Sequence, residues 1–165
     1  MGVQDVFRDV ARASYTRGEN LHLTVKFLGE VADDRVKEVC DALGAVRGAG
    51  GFELAADRVE CFPERGRIRI IGAGMETPAE LTSLVNEIEE ACAKVGFARE
   101  RRAYKAHVTL ARAKMPLPQQ LRGRLEQVAS GLFPGPRMNA GKFVLMQSVL
   151  KREGAEYTPA AHFVI

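Results

Sequence analysis

The sequence predicts one domain that mixes strands and helices, of the α+β or α/β kind, and three observations predict it. Its 165 residues are the length of a single ordinary domain, enough to bury a core. Segments with helical apolar period are interspersed with shorter segments of strand character, so helices and sheet share its layers. A short phrase, His-x-Thr-aliphatic, is written at His22 and again at His107, which hints at two similar halves within residues 1–165.

The elements follow in chain order. An amphipathic piece is expected from Val3 to Ala13. A strand is expected over LHLTVKFL, Leu21 to Leu28. The first clear helix is DDRVKEVCDALGAV, in which Val36, Val39, Cys40, Leu43 and Val46 recur at three- and four-residue steps and Asp33 or Asp34 can cap the start. GAGG, Gly48 to Gly51, reads as a loop, and FELAADRVECF and RIRIIGA read as strands.

The second helix, TPAELTSLVNEIEEACAKVG, has Thr77 as N-cap, Pro78 at its first position and Glu80 completing a capping box. Leu81, Leu84, Val85, Ile88, Cys92 and Val95 form its apolar stripe, and Gly96 ends it. AHVTLAR follows as a strand. A third helix is expected over PQQLRGRLEQVAS, weakened in its middle by Gly123. FPGPRMNAG, Phe133 to Gly141, reads as a loop, and KFVLMQSVL and YTPAAHFVI as closing strands.

Composition excludes several classes. The chain is 46% apolar and 27% charged, with no apolar run near membrane-spanning length, so a soluble protein is expected. Asp5, Arg8 and Asp9 stand where a secretion signal needs an apolar stretch, so a cytoplasmic protein is expected. Its three cysteines, Cys40, Cys61 and Cys92, are odd in number and scattered without C-x-x-C, which suits buried reduced thiols. No His or Cys pair sits at zinc-ligand spacing, so no metal or cofactor is expected. A net charge of +3 permits a nucleic-acid partner without demanding one.

The two phrases carry the chemistry. Side chains alternate along a strand, so His22, Thr24 and Lys26 share one face, while Leu21, Leu23, Val25 and Phe27 share the other. In the second phrase His107 and Thr109 share a face opposite Val108 and Leu110. If the two halves face each other, two imidazoles and two hydroxyls meet. One neutral imidazole takes a proton from water and one imidazolium gives a proton to a leaving oxygen, which suits phosphate chemistry near neutral pH. The hydroxyls donate to phosphoryl oxygens. A lone strand histidine is more often structural, but here two of only three histidines share the phrase. His162, in AAHFVI, lacks the threonine and is assigned no catalytic part.

ENLHLTVKFLGEV and AHVTLAR resemble the paired signatures of the two-histidine (2H) phosphoesterase superfamily, within it the RNA 2′,3′-cyclic phosphodiesterases, also called 2′–5′ RNA ligases. CFPERGRIRIIGAG and YTPAAHF extend the resemblance from about Glu19 to the end. It implies an α+β fold with two pseudo-symmetric lobes, each an antiparallel sheet with outer helices, around a central cleft. The activity implied is metal-independent hydrolysis of a terminal 2′,3′-cyclic phosphate on RNA to a 2′-phosphate, with 2′–5′ ligation as a second activity. By position in the motifs, His22 is the proton donor to the leaving 3′-oxygen and His107 the acceptor. Thr24 and Thr109 hold the phosphate, and Arg112 adds positive charge. The alternative is a module of the same fold that binds RNA phosphate or nucleotide with little turnover.

The chain departs from the family in lacking the short apolar strand that usually opens it, which suggests an exposed sheet edge. A monomer is expected, with association through that edge as the alternative. Ile70 stands where relatives often have Trp before GAG, so Phe62 or Tyr104 is the candidate stacking aromatic. Two basic runs flank these motifs: Arg99, Arg101, Arg102 and Lys105 lead into His107, and Arg65, Arg67 and Arg69 alternate before GAG. A solvated surface is the common meaning of such runs. The alternative makes Arg102, Tyr104 and Lys105 contacts to RNA 3′ ends carrying a cyclic phosphate.

Overall fold

A computed structural model describes residues 4–151 and 154–165. The chain divides into two compact units. The first gathers Met1–Thr24, Leu54–Glu76 and Lys105–Met138, and the second Val25–Glu53, Thr77–Tyr104 and Asn139–Ile165. Each carries sheet and helix, and the fold is α+β. Among the described residues no helix is long and apolar enough to cross a membrane.

The first unit holds most of a five-stranded sheet of order β1-β4-β3-β2-β5, with β1 at Ala13–Tyr15, β2 at Phe52–Phe62, β3 at Ile68–Met75, β4 at His107–Leu117 and β5 at Arg137–Ala140. The pairs β1–β4, β3–β4 and β2–β3 are antiparallel. One face of this sheet is apolar. Cys61, Ile68, Ile71, Ala73, Leu110 and Ala111 meet Leu125 and Ala129 of helix α3 (Leu121–Ala129), together with Phe7 and Ala11. Phe7 is fully buried, so its truncation to Ala is expected to cost about 3–5 kcal/mol.

The second unit pairs β6 (Lys142–Lys151) with β7 (Gly154–Val164) and carries helices α1 (Asp33–Leu43) and α2 (Ala79–Lys94). Val39, Leu43, Leu81, Leu84, Val85, Ile88 and Cys92 are buried there, the stripes that the helical period marks. Gly96, at φ 88°, takes the left-handed conformation that closes α2, and Phe97 N–H donates to the Cys92 carbonyl at 3.0 Å.

Several sequence expectations are corrected. LHLTVKFL is not a strand: Leu23 alone makes a bridge, and Phe27, expected on a greasy face, is 82% exposed. The stretch Gln4–Ala13 is not an α-helix. A 3-10 turn at Asp5–Phe7 still uses its apolar spacing, because Val6, Phe7, Val10 and Ala11 all pack on the first unit's core. Val3 lies outside the described residues.

The short link before Glu19 carries a strand of its own, at Ala13–Tyr15, which covers part of β4's outer edge, so the edge expected to be exposed is partly paired. Part of the expected 133–141 loop is strand β5. Neither helix α1 nor α2 has the side-chain cap foreseen. Ala32 and Pro78 are the N-caps, since Pro78 stays extended at ψ 161° and starts the helix one residue later. Arg65 and Arg67 precede strand β3 instead of alternating along it, and Arg67 donates to the Pro116 carbonyl.

Candidate active site

Both His-x-Thr phrases lie in the first unit. The chain runs along the outer edge of β4 in two steps. Ala13, Ser14 and Tyr15 pair with Ala113, Arg112 and Ala111, and Thr16 N–H donates to the Leu110 carbonyl at 2.9 Å. A 3-10 turn at Gly18–Asn20 then loops out, and the chain returns to β4 at Leu23, which makes an antiparallel bridge with Val108.

That bridge sets the register of the two phrases. Val108 pairs with Ala73, a core residue, so Leu23 and Val108 take the core-facing side of the pair. On the other face His22 stands opposite Thr109, and Thr24 opposite His107. Opposed side chains in such a pair have Cβ atoms about 5 Å apart and diagonal neighbours about 7–8 Å, so two imidazoles and two hydroxyls share one patch. His22 and Thr24 are exposed, while His107 and Thr109 are half-buried.

Each imidazole is tethered in the same way. His22 Nδ1 lies 2.7 Å from the Asn20 carbonyl, and His107 Nδ1 lies 2.8 Å from the Lys105 carbonyl. A carbonyl only accepts, so Nδ1 carries the proton in both rings and Nε2 is the nitrogen where a proton is gained or lost. In both rings the carbonyl two residues upstream selects the tautomer.

The floor of the patch comes from β3. Thr109 pairs with Gly72 and His107 with Gly74. A Cβ at Gly72 would lie 3.4 Å from His107 Cδ2 and 3.2 Å from the Val108 carbonyl oxygen, and one at Gly74 would lie 2.6 Å from Glu60 Cγ. The glycines of GAG therefore clear the space that the His107 ring and the Glu60 side chain occupy. Phe62 of β2 packs on His107 with ring centroids 4.5 Å apart. Alternating glycines in a strand signal close approach, but only the register shows what approaches.

Arg112 reaches the same face through an irregularity. The register passes from Gly72–Thr109 to Ile71–Ala111 and leaves Leu110 unopposed, a β-bulge. Leu110 and Ala111 are consecutive, yet both are buried in one core. In strict alternation Arg112 would fall on the core face. The bulge turns it out, exposed, beside His107 and Thr109. The Leu110 carbonyl also accepts from Gln4 Nε2 at 2.9 Å, and the same nitrogen donates to the Thr16 carbonyl at 2.7 Å. Neither Gln4 nor the bulge has a signature readable before the strands are paired.

The remaining sequence candidates lie elsewhere. Lys26, expected beside His22 and Thr24, belongs to the second unit, where its ammonium pairs with Glu89 at 2.6 Å and is almost fully buried. Lys105 pairs with Glu64. Tyr104 is half-buried, and burial pushes its phenol up to about 12. Arg102 is exposed in the second unit, and His162 is exposed on β7 opposite Val144. Among the described residues no group of three or more His, Cys, Asp or Glu side chains gathers as a metal site.

The model of a family described as LigT like phosphoesterase matches residues 3–72 and 74–157. The chain is 33% identical to an RNA 2′,3′-cyclic phosphodiesterase of Archaeoglobus fulgidus over 84% of this chain and 76% of that protein. It is 29% identical to the enzyme of the same name from Methanothermobacter thermautotrophicus, over 94% and 85%. Among solved structures, a protein of Thermus thermophilus named TT0787 superposes with a TM-score of 0.78 at 24% identity, covering 98% of this chain and 86% of that one. Escherichia coli LigT complexed with 3′-AMP superposes at 0.72 and 23% identity, covering 99% and 91%.

Proposed function

We propose a reaction from one premise: this chain belongs to the LigT like phosphoesterase family. The reaction is hydrolysis of the 2′,3′-cyclic phosphate at an RNA 3′ end to a 2′-phosphate, the activity its relatives from Archaeoglobus and Methanothermobacter are named for. The observation that carries this reading is the Leu23–Val108 bridge, which brings the two histidines and two threonines onto one face.

His107 Nε2 accepts a proton from water as the water oxygen attacks phosphorus. The bond from phosphorus to O3′ breaks, and His22 donates its Nε2 proton to that oxygen. The 2′-phosphate and a free 3′-hydroxyl remain. Each proton transfer is worth roughly 10²–10⁴-fold. The Nδ1–H bonds to Asn20 and Lys105 persist through the cycle, so neither ring must turn between states. The tethers are alike, and the division into donor and acceptor follows the family resemblance. Thr24 and Thr109 hydrogen-bond the non-bridging oxygens, and Arg112 offsets their charge. Arg102, Tyr104 and Lys105 are candidate RNA contacts upstream of His107. A 5′-hydroxyl in place of water gives a 2′–5′ phosphodiester by the same steps, which is the ligase activity.

The test is phosphorus NMR on a short RNA ending in a 2′,3′-cyclic phosphate, with EDTA present and His22→Ala and His107→Ala in parallel. A 2′-phosphate that forms in EDTA and is lost in both variants is the expected result. An unchanged cyclic phosphate with the wild-type chain overturns the reading and leaves a phosphate-binding module.

A further inference from the structure

The bulge at Leu110 turns more than Arg112 onto the histidine face. Strand β1 fixes the alternation beyond it. Ala13 and Tyr15 pack on the core and pair with Ala113 and Ala111, so Ser14 and its partner Arg112 point the other way. Continued by one residue, the same register sets Arg12 opposite Lys114, and Lys114 N–H donates to the Arg12 carbonyl at 3.2 Å. One face of β4 thus reads His107, Thr109, Arg112, Lys114, with Ser14 and Arg12 alongside.

Arg12, Arg112 and Lys114 are all exposed, and among the described residues none has a side-chain ion pair or hydrogen bond. Like charges directly opposite each other across an antiparallel pair repel. Three cations and a hydroxyl gathered with no carboxylate paired to them form a site that an anion relieves. Lys114 lies about 13–17 Å along the strand from Thr109, so one phosphate held at Thr109 does not reach it.

We propose that Arg12, Ser14 and Lys114 form a second phosphate site, which holds a backbone phosphodiester of the RNA upstream of its cyclic end. This rests on the RNA-end reading above and extends it. The strand leaves the histidine patch over Arg112 and tracks along β4 towards Lys114. Its path is set by the bulge: without the extra residue, Arg112 and Lys114 would face the core.

Direct binding tests this independently of turnover. An RNA hexamer ending in a 2′-phosphate and a nucleoside 2′-phosphate are titrated at increasing KCl against wild type, Lys114→Ala, Arg12→Ala and Arg124→Ala. Arg124 is exposed on α3, the helix packed on the opposite face, and controls for net charge. Lys114→Ala and Arg12→Ala are each expected to weaken hexamer binding several-fold at low salt and to lower the slope of log K against log salt by about 0.7. Mononucleotide binding is expected to change less than twofold. An unchanged hexamer slope, an equal loss for both ligands, or the same loss in Arg124→Ala would overturn the second site. Because a product RNA needs no turnover, a chain that binds it along β4 but leaves cyclic phosphate intact would sink only the hydrolytic reading.

Discussion

Leu23 pairs with Val108, and this contact between two apolar residues decides where four polar ones meet. Both side chains belong to the core side of the sheet, so the residues flanking each are forced onto the other face. By the same register His22 falls opposite Thr109 and Thr24 opposite His107, because an antiparallel pair inverts the order of the second phrase. A register slip of one residue at this bridge would send His22 to the core face, while His107 stays where its pairing with Gly74 puts it.

The tethers predict a specific tautomer. Nitrogen-15 NMR of the free protein above pH 8 should show both His22 and His107 protonated at Nδ1 and bare at Nε2, since each Nδ1 faces a carbonyl. A ring protonated at Nε2 and bare at Nδ1 would contradict the assigned proton path. His22→Ala and His107→Ala should each lower kcat by roughly 10²–10⁴-fold.

Gly72 leaves little room for a side chain. A Cβ there meets the Val108 carbonyl at 3.2 Å and the His107 ring at 3.4 Å. Gly72→Ala is expected to displace the imidazole and lower kcat by about tenfold, with overpacking costing about 1–3 kcal/mol in urea melts. Gly74→Ala collides instead with the Glu60 side chain, so its loss should appear in stability more than in rate. Equal kinetics for Gly72→Ala and wild type would remove the glycine floor from the site's description.

Lys26 and Glu89 should behave as a buried pair. They lie 2.6 Å apart with side chains 7% and 10% exposed, and Lys26 also donates to the Ala98 carbonyl at 2.9 Å. Lys26→Met leaves a buried carboxylate without its partner and is expected to cost about 3–5 kcal/mol. Lys26→Met/Glu89→Leu should recover most of it. A double variant no better than the single would show that the charge pair is not the source of the loss.

Cys61 should be inert in the folded protein. Burial pushes its thiol up to about 11, so at pH 8 roughly one in a thousand is thiolate. Cys92 is buried and also raised, whereas Cys40 is half-buried. A native thiol titration at pH 8 should find one fast-reacting group, and three in denaturant. The folded value is above the unfolded one, so this thiol's contribution is intact below about pH 9 and is lost as pH rises towards 11. Rapid native labelling of Cys61 would contradict its place in the core.

How far the sequence was legible depends on the range of each signal. Helices α1, α2 and α3 and strands β2, β3, β4, β6 and β7 were readable because apolar period and turn residues act over a few neighbours. The His-x-Thr phrases were readable as chemistry because histidine is so scarce here. LHLTVKFL misled for a physical reason: a strand exists only where another backbone takes its hydrogen bonds, and Leu23 alone finds one. Strand β1 was hidden because three residues carry no period.

By itself, then, the sequence determined the residue types of the patch, the family they resemble, the α+β class and the apolar stripes. Only the tertiary structure decided which side chains share a face. Register and bulge are properties of paired strands, and one unopposed residue at Leu110 reverses the facing of Arg112. It placed Arg112 and Lys114 on the histidine face, sent Lys26 to Glu89, and made Gly72 and Gly74 a floor. Those are long-range pairings between segments far apart in the chain, and no local pattern encodes which of them will meet.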